Sequence, residues 1–220
     1  MHLSRTSGWL GGDTGESVVA IASGRHIPLD PDGLLGVTWH WTASRGRTRA
    51  HVGELAKSIV DGSGPSWHLA IGRAGNVVQS VGLHRGANHV GKFGLVAGRQ
   101  RSVNRSTVGV ELENLGRVIR VGPEWRQVVN PAEPPHTHAP SAFACPDAEV
   151  VECDGAHWHA YSDAQVATAE ALICALVARF GWTREAFGYS HSAFDPARKA
   201  DPGVVWTKVH LPAILDRVFP

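Results

Sequence analysis

The chain has 220 residues, of which 43% are hydrophobic and 19% are charged, and its formal net charge is +1. A chain of this length can bury a proper core within one domain, and its charge balance gives no indication of a nucleic-acid partner. The counts of 13 His and 8 Trp stand out. Histidine is the commonest metal ligand and a general acid or base near neutral pH, so a metal or acid–base site is the first possibility to examine.

The N-terminal sequence has no apolar run long enough for a signal peptide. No segment approaches the roughly 18 consecutive apolar residues that a membrane-spanning helix needs. We therefore expect a chain that is made in the cytoplasm without a signal peptide and does not insert into a membrane. Of the three cysteines, Cys174 falls in an apolar helical run and is expected in the core. Cys145 and Cys153 could pair, bind metal or do neither.

The first half of the chain predicts strands and one helix after an N-terminal lead-in. Residues 1–33 are rich in Gly, Asp, Ser and Pro. Segment 34–42 alternates apolar and polar side chains, which predicts a strand. A helix is expected from about 49 to 60 because apolar residues recur there with helical spacing. Two further strands are expected at 67–72 and 76–81, joined by a turn at Ala74-Gly75.

The middle of the chain alternates between loop-like and strand-like sequence. Residues 82–105 are rich in Gly and Arg, which predicts a loop. Segment 107–113 alternates cleanly, which predicts a half-buried strand with Glu111 and Glu113 on its polar face. From about 116 to 158 the periodicity is weak and Pro, His and Cys recur, so we interpret this segment as a loop insertion on the same domain.

The last third predicts one long helix, a loop and a terminal helix. Ser162 and Gln165 have the spacing of a capping box, which begins a helix that Gly181 ends. Residues 188–203 contain two prolines and predict a loop, and a short helix is expected around 206–218. Strands mixed with two or three helices indicate an α/β sheet covered by helices.

Three polar features are candidates for chemistry. His40 lies between Trp39 and Trp41 in a strand, where it could be a metal ligand or a core histidine with a satisfied hydrogen bond. His191, Lys199 and Asp201 share a proline-stiffened loop. Two histidines and one carboxylate suit a catalytic zinc with one position open for water, although the loop charges could instead pair with each other.

Glu111 is the third feature, because a carboxylate on a strand face beside a zinc ion could take a proton from water. The alternative is an exposed strand carboxylate with no special role. Glu113 shares the same face and serves as an internal control for that alternative.

These segments resemble the type 2 N-acetylmuramoyl-L-alanine amidases, the superfamily that includes peptidoglycan-recognition proteins and many phage endolysins. The resembling stretches appear in the family's order across about 170 residues. They are Val37–Ala43, Ser66–Gln79, Ala87–Gly91, Thr107–Asn114 and His191–Gly203. The last stretch is the most diagnostic because its His, Lys and Asp keep the family's spacing. The resemblance implies a single α/β catalytic domain over residues 1–220, with a central mixed β-sheet flanked by helices, as in a peptidoglycan-recognition protein.

The resemblance also implies roles for individual residues. It assigns one catalytic Zn²⁺ to His40, His191 and Asp201, the catalytic acidic role to Glu111, and the role of a cation beside the metal to Lys199. Substrate-binding positions of lower rank are Trp67, His68, His89 and Asn114. Trp67 stands where some members have a catalytic tyrosine, which favours the version of the mechanism that uses Glu111 and Lys199.

The implied activity is zinc-dependent hydrolysis of the amide bond between the N-acetylmuramic acid lactyl group and L-alanine. In that mechanism Glu111 assists the deprotonation of water and returns a proton to the departing amine, while Lys199 helps to stabilise the oxyanion. The expected partner is bacterial peptidoglycan or its muropeptides. We expect a lytic endolysin that reaches the wall through a holin-type lesion, with a cytoplasmic enzyme recycling anhydromuropeptides as the alternative.

Two other hypotheses stay open from the sequence. One is a peptidoglycan-binding module without catalysis, although such relatives typically lack a zinc ligand and this chain has all three. The other is a second, structural metal site formed by His136, His138, Cys145 and Cys153, whose spacing matches no zinc-finger pattern.

Overall fold

The computed structural model describes residues 2–3, 10–11, 18–20, 26–43, 65–129 and 139–220. The helix expected from about 49 to 60 lies outside these residues. The strands that they form are β1 (His2–Leu3), β2 (Leu10–Gly11), β3 (Val18–Ala20), β4 (Val37–Trp41), β5 (Leu69–Ile71), β6 (Val77–Gln79), β7 (Phe93–Val96), β8 (Arg99–Ser102), β9 (Val108–Leu112), β10 (Arg117–Val121), β11 (Glu124–Val129), β12 (Ala139–Cys145), β13 (Val150–Cys153), β14 (Ala156–His159) and β15 (Tyr189–Ser190).

The α-helices of the described residues are α1 (Val103–Ser106), α2 (Asp163–Phe180), α3 (His191–Phe194) and α4 (Leu211–Val218). A π-helical segment, Val205–His210, leads directly into α4. Short 3₁₀ turns occur at Asp147–Glu149 and Arg184–Phe187. No helix among the described residues is long and apolar enough to cross a membrane.

A six-stranded mixed sheet with the order β15–β4–β9–β5–β6–β3 organises the fold. Strands β15, β4, β9 and β5 run parallel to one another, β6 is antiparallel to β5, and β3 is parallel to β6. The prediction of an α/β fold with a central mixed sheet flanked by helices is confirmed. The predicted turn at Ala74-Gly75 also joins β5 to β6, and Gly75 has a φ of +78° there.

One face of the central sheet carries the main hydrophobic core. Val37 and Trp39 of β4 and Val110 of β9 are fully buried in it. The helices α2 and α4 cover this face with side chains that include Leu172, Ile173, Leu176, Ile214 and Leu215. The Trp39 indole also donates a hydrogen bond to the Phe187 carbonyl at 2.9 Å. Apolar residues on alternate strand positions therefore bury one face and leave the other for polar side chains.

Helix α2 begins and ends where the sequence predicts. The Ser162 hydroxyl accepts from the Gln165 backbone N–H and the Gln165 side chain accepts from the Ser162 N–H, which together form the capping box. Gly181 ends the helix with a φ of +66°. The expectation of a buried Cys174 is wrong, because this position lies on the solvent side of the helix and its thiol is exposed.

The strand over 107–113 differs from the prediction in its burial. Strand β9 is an interior strand, with β4 on one side and β5 on the other, and Glu113, which directly follows it, is only 3% exposed. The alternation was correctly interpreted as a strand, but its polar face points into the protein rather than to solvent.

The described residues of the segment 116–158, which are 116–129 and 139–158, are not a loop. Strands β10 to β14 form an antiparallel sheet with the order β12–β11–β10–β14–β13. Many side chains on both faces of this sheet are polar and at least partly exposed, so the apolar alternation that marks a half-buried strand is weak. Cys145 and Cys153 end the two edge strands of this sheet and do not form a disulfide with each other.

The Gly- and Arg-rich segment 82–105 also holds more structure than the predicted loop. It contains the β7–β8 hairpin and begins α1. Tyr189 anchors the hairpin by accepting a hydrogen bond from the Ala97 N–H at 2.9 Å. The hairpin therefore packs beside the segment that leads into His191.

Trp41 of the central sheet packs against Trp158 of the five-stranded sheet, and its surroundings allow a prediction about stability. Gly116 has a φ of +75°, and a Cβ there would lie 2.6 Å from the Trp41 ring. We expect Gly116→Ala to lower the free energy of unfolding by about 1–2 kcal/mol through the left-handed backbone and by about 1–3 kcal/mol more through overpacking. Urea unfolding measures this difference.

Gly122→Ala is the matched control, because Gly122 has a φ of +58° with nothing within 4 Å of its added Cβ. It should show the backbone cost alone. Equal losses in the two variants would contradict a specific contact between position 116 and Trp41.

The buried His68 side chain should make the stability of the protein depend on pH. Its side chain is fully buried, its Nδ1 accepts from the Gly109 N–H at 2.9 Å, and its Nε2 contacts the Arg85 carbonyl at 2.9 Å. Burial lowers the pKa of His68 from 6.5 to about 4, and the hydrogen bond to Arg85 opposes this only in part. The unfolded chain therefore binds more protons between these two values.

Stability from His68 is complete above about pH 6.5 and is lost as the pH falls towards about 4, by an amount on the order of 3 kcal/mol. Unfolding free energies measured across this window should fall more steeply in the wild type than in His68→Gln. Identical pH slopes for the two proteins would contradict a buried, neutral His68.

Candidate metal centre

Strand register brings three polar side chains into one row on the face opposite the main core. His40 of β4 and Glu111 of β9 are direct partners in the parallel ladder. On the other side of β4, Ser190 pairs with Trp39, so His191 follows beside His40. Residues in register on parallel strands point to the same face. The row His191, His40 and Glu111 therefore lies near the carboxyl ends of the strands.

Asp201 completes a cluster with the two histidines. His40 Nδ1 lies 3.0 Å from His191 Nδ1 and 3.1 Å from Asp201 Oδ2, and His191 Nδ1 lies 3.0 Å from Asp201 Oδ2. All three residues are buried. Among the described residues this is the one group of three or more His, Cys, Asp or Glu side chains found with the spacing of a metal site.

The spacing and chemistry of these atoms fit a metal ion. Ligand atoms about 2.0–2.1 Å from a tetrahedral zinc lie about 3.3 Å from each other, close to the observed separations. Three mutual contacts of this length cannot all be hydrogen bonds, because each neutral ring nitrogen is either a donor or an acceptor. A cation at the centre would satisfy all three atoms at once. In addition, no described residue pairs with the buried Nε2 of His191.

The loop from His191 to Asp201 is closed by its own hydrogen bonds. The Ser192 N–H donates to the Asp201 carbonyl at 2.9 Å, which brings the two ends together. The Asp195 carbonyl accepts from the Arg198 and Lys199 N–H groups, and its carboxylate pairs with the Arg198 guanidinium at 2.7 Å. These bonds hold Lys199 at the same cavity as the metal cluster.

A cavity of about 340 Å³ opens over the cluster. It is lined by His40, Trp41, Pro65, Asn88, His89, Val90, Gly91, Asn104, Glu111, His191, Arg198, Lys199 and Asp201. The predicted metal and catalytic residues therefore lie together, as the sequence predicts. Three polar lining residues, Asn88, Asn104 and Arg198, were missed, because an isolated Asn or Arg carries no distinctive sequence pattern.

The surroundings of Glu111 and Asp201 shift the pKa values of these two carboxyl groups in opposite directions. Burial raises the pKa of Glu111 well above its usual value, the Asp201 charge raises it further, and Lys199 opposes both. The Glu111 Oε2 atom is buried with no partner among the described residues. Burial also disfavours the Asp201 carboxylate, but its close contacts with His191 and His40 outweigh that effect and hold its pKa below the usual range. Glu111 therefore holds a proton more readily than Asp201 does.

His89 lines the cavity but also contacts His40. His40 Nε2 lies 3.0 Å from His89 Nδ1, and His89 Nε2 lies 3.2 Å from the Thr107 carbonyl oxygen. Both ring nitrogens of His89 are therefore engaged within the protein.

The other three candidate substrate residues do not line the cavity. Trp67 and His68 are buried, and His68 uses both ring nitrogens in the contacts to Gly109 and Arg85. Asn114 is also buried, donating to the His159 carbonyl at 3.0 Å and accepting from the Gly116 N–H at 2.7 Å. None of the three is positioned to contact a substrate in this cavity, and the polar groups of His68 and Asn114 hold neighbouring segments together.

The hypothesis of a second metal site gains no support from the described residues. His136 and His138 lie outside them. Cys145 and Cys153, which are described, end the two opposite edge strands of the five-stranded sheet.

Known proteins resemble this chain in sequence family and in fold. The family model described as N-acetylmuramoyl-L-alanine amidase matches residues 32–204. The comparison with curated protein sequences gave no match. Among solved structures, a selenomethionine derivative of AmpD is 21% identical with a TM-score of 0.60, and the match covers 98% of this chain and 99% of that one.

Two further solved structures share the fold. AmiD from E. coli, solved with the substrate anhydro-N-acetylmuramic acid-L-Ala-D-gamma-Glu-L-Lys, is 17% identical with a TM-score of 0.51, covering 93% of this chain and 60% of that chain. A mutant endolysin from Bacillus subtilis is 17% identical with a TM-score of 0.50, covering 92% and 99%. The match of the family model to most of the chain, together with the fold, shows that this protein belongs to the N-acetylmuramoyl-L-alanine amidase family.

Proposed function

We propose that this amidase is zinc-dependent and hydrolyses the bond between the N-acetylmuramic acid lactyl group and L-alanine in peptidoglycan. The observation that carries the proposal is the convergence of His40 Nδ1, His191 Nδ1 and Asp201 Oδ2 within a cavity that also holds Glu111 and Lys199. Two histidines and one carboxylate are a ligand set of catalytic zinc sites, which keep a further position open.

Zinc held by His40, His191 and Asp201 would lower the pKa of water and polarise the scissile carbonyl. Glu111 supplies the proton transfers. Because burial raises its pKa, its carboxylate is a stronger base than an ordinary glutamate and can pass the proton on to the leaving amine. Lys199 places a positive charge at the cavity, where it stabilises the oxyanion that develops on the attacked carbonyl.

The proposed substrate class follows from the family and is supported by the AmiD complex, whose ligand is an anhydromuramoyl peptide. The natural partner of this chain would be peptidoglycan or soluble muropeptides. We propose that the protein acts as a lytic endolysin, which reaches the cell wall through a holin-type lesion. The alternative is recycling of anhydromuropeptides in the cytoplasm, and the two settings differ in which substrate is cut efficiently.

A substitution at Glu111 tests the mechanism. We expect Glu111→Gln to lower kcat by about 10²- to 10⁴-fold, because the amide cannot accept a proton, while bound metal stays at the wild-type level. The measurement is the release of stem peptides with free N-terminal L-alanine, followed by mass spectrometry, together with metal analysis of each protein.

Glu113→Gln is the matched control, since Glu113 lies two residues along the chain, is buried, and does not line the cavity. Its activity per folded molecule should stay close to that of the wild type. Full activity in Glu111→Gln would show that another group transfers the proton.

Metal removal and a choice of substrates test the remaining parts of the proposal. Treatment with a chelator should abolish release of stem peptides, and added Zn²⁺ should restore it.

Rapid cleavage of intact sacculi would support the lytic setting, whereas cleavage restricted to soluble anhydromuropeptides would support recycling. Muropeptide binding by the zinc-loaded protein without any cleavage would overturn the enzymatic proposal in favour of a binding module.

A further inference from the structure

We propose that His89 is a positioning residue, which holds the His40 ring so that its Nδ1 lone pair faces His191 and Asp201. This inference rests on the metal centre of the proposed function. It assigns to His89 a role different from the substrate contact expected from the sequence.

The direction of the hydrogen bonds follows from the chemistry of their ends. The Thr107 carbonyl oxygen can only accept, so the His89 Nε2, 3.2 Å away, carries the proton. In a neutral His89 ring, Nδ1 is then an acceptor. The His40 Nε2, 3.0 Å from it, donates, which leaves His40 Nδ1 without a proton. A bare Nδ1 is the form of histidine that can bind a metal ion.

The surroundings of His89 favour the neutral ring. Its side chain contacts the His40 ring and the Thr107 carbonyl, and no carboxylate is among the hydrogen-bond partners that the described residues give it. A charged His89 would be an unpaired buried cation, which is costly.

The backbone of His89 is held as firmly as its ring. The Asn104 side-chain oxygen accepts from the N–H groups of His89, Val90 and Gly91 at 3.1, 2.7 and 3.1 Å. Gly109 of β9 lies under the ring, where a Cβ would be 2.6 Å from His89 Cγ. A glycine inside a strand is typical of a close approach by another group. These contacts fix where the His89 nitrogens point.

Loss of this partner would affect the metal centre through His40. Its buried Nε2–H would have no acceptor, and the ring would lose the contact that sets its orientation. A metal-binding histidine usually donates its other N–H to a fixed acceptor, and removing such an acceptor typically weakens metal binding by about 10- to 100-fold. His89 is the acceptor in this arrangement.

Metal affinity is the first readout. The dissociation constant for Zn²⁺ is measured by competition with a chromogenic chelator for the wild type, His89→Leu and His89→Gln. We expect His89→Leu to raise the constant by about 10- to 100-fold. His89→Gln should lose less, because its side-chain amide offers one donor and one acceptor. Long-range ¹H–¹⁵N NMR of the zinc-loaded wild type should show His40 protonated at Nε2.

His68→Leu is the matched control. His68 is a second buried histidine with both ring nitrogens in use, but neither contacts His40. Its loss should lower the thermal stability of the metal-free protein while the Zn²⁺ dissociation constant stays unchanged. If His89→Leu behaves in the same way, with lower stability and normal metal affinity, the positioning role is wrong. If that variant fails to fold, His89→Gln decides, since unchanged affinity together with an unprotonated His40 Nε2 overturns the proposal.

Failure of the wild type to bind Zn²⁺ would have a separate meaning. It would overturn the metal centre itself, and the role of His89 with it. Normal binding by the wild type, combined with no effect of either His89 variant, would leave the proposed function intact and overturn only this inference.

Discussion

The in-register pairing of the parallel strands β15, β4 and β9 is the constraint on which the rest of the site depends. It sets His191, His40 and Glu111 side by side on one face of the sheet. A shift of β4 by one residue would turn His40 into the main core and bring Trp39 to the cavity. The fully buried Trp39 and Val110 oppose such a shift, because each would lose its place in the apolar core. Hydrophobic packing on one face of the sheet therefore fixes the positions of His191, His40 and Glu111 on the other face.

Burial has two effects on this polar face: its polar groups need hydrogen-bond partners, and the pKa values of its titratable groups are shifted. Polar groups removed from water need partners, and the structure supplies them through the Thr107 carbonyl, the Asn104 side chain and the backbone of the segment from His191 to Asp201. The same burial lowers the pKa of His89 and raises the pKa of Glu111. The Glu111 Oε2 atom, left without a partner among the described residues, is the group that the proposed reaction uses.

Local sequence patterns determined the elements whose signals are short-range. Alternation around Trp39 and within 107–113 predicted β4 and β9, and the Ser162–Gln165 spacing with Gly181 predicted both ends of α2. The loop from His191 to Asp201 carried its ligand types at a diagnostic spacing, so the three candidate ligands and Glu111 could be named in advance. Residues 116–158 escaped prediction because weak alternation cannot distinguish strands exposed on both faces from a loop.

The sequence by itself thus predicted the fold class, and its resemblance to the amidase family indicated the candidate metal ligands and the acidic residue, because the motifs that carry this resemblance are short and local. Only the tertiary structure decided which polar side chains reach the cavity. Trp67, His68 and Asn114 are used inside the protein, and His89 contacts His40. Burial of Glu113 and exposure of Cys174 were likewise decided by what packs beside them. Such contacts join residues far apart in the chain, so no local pattern records them.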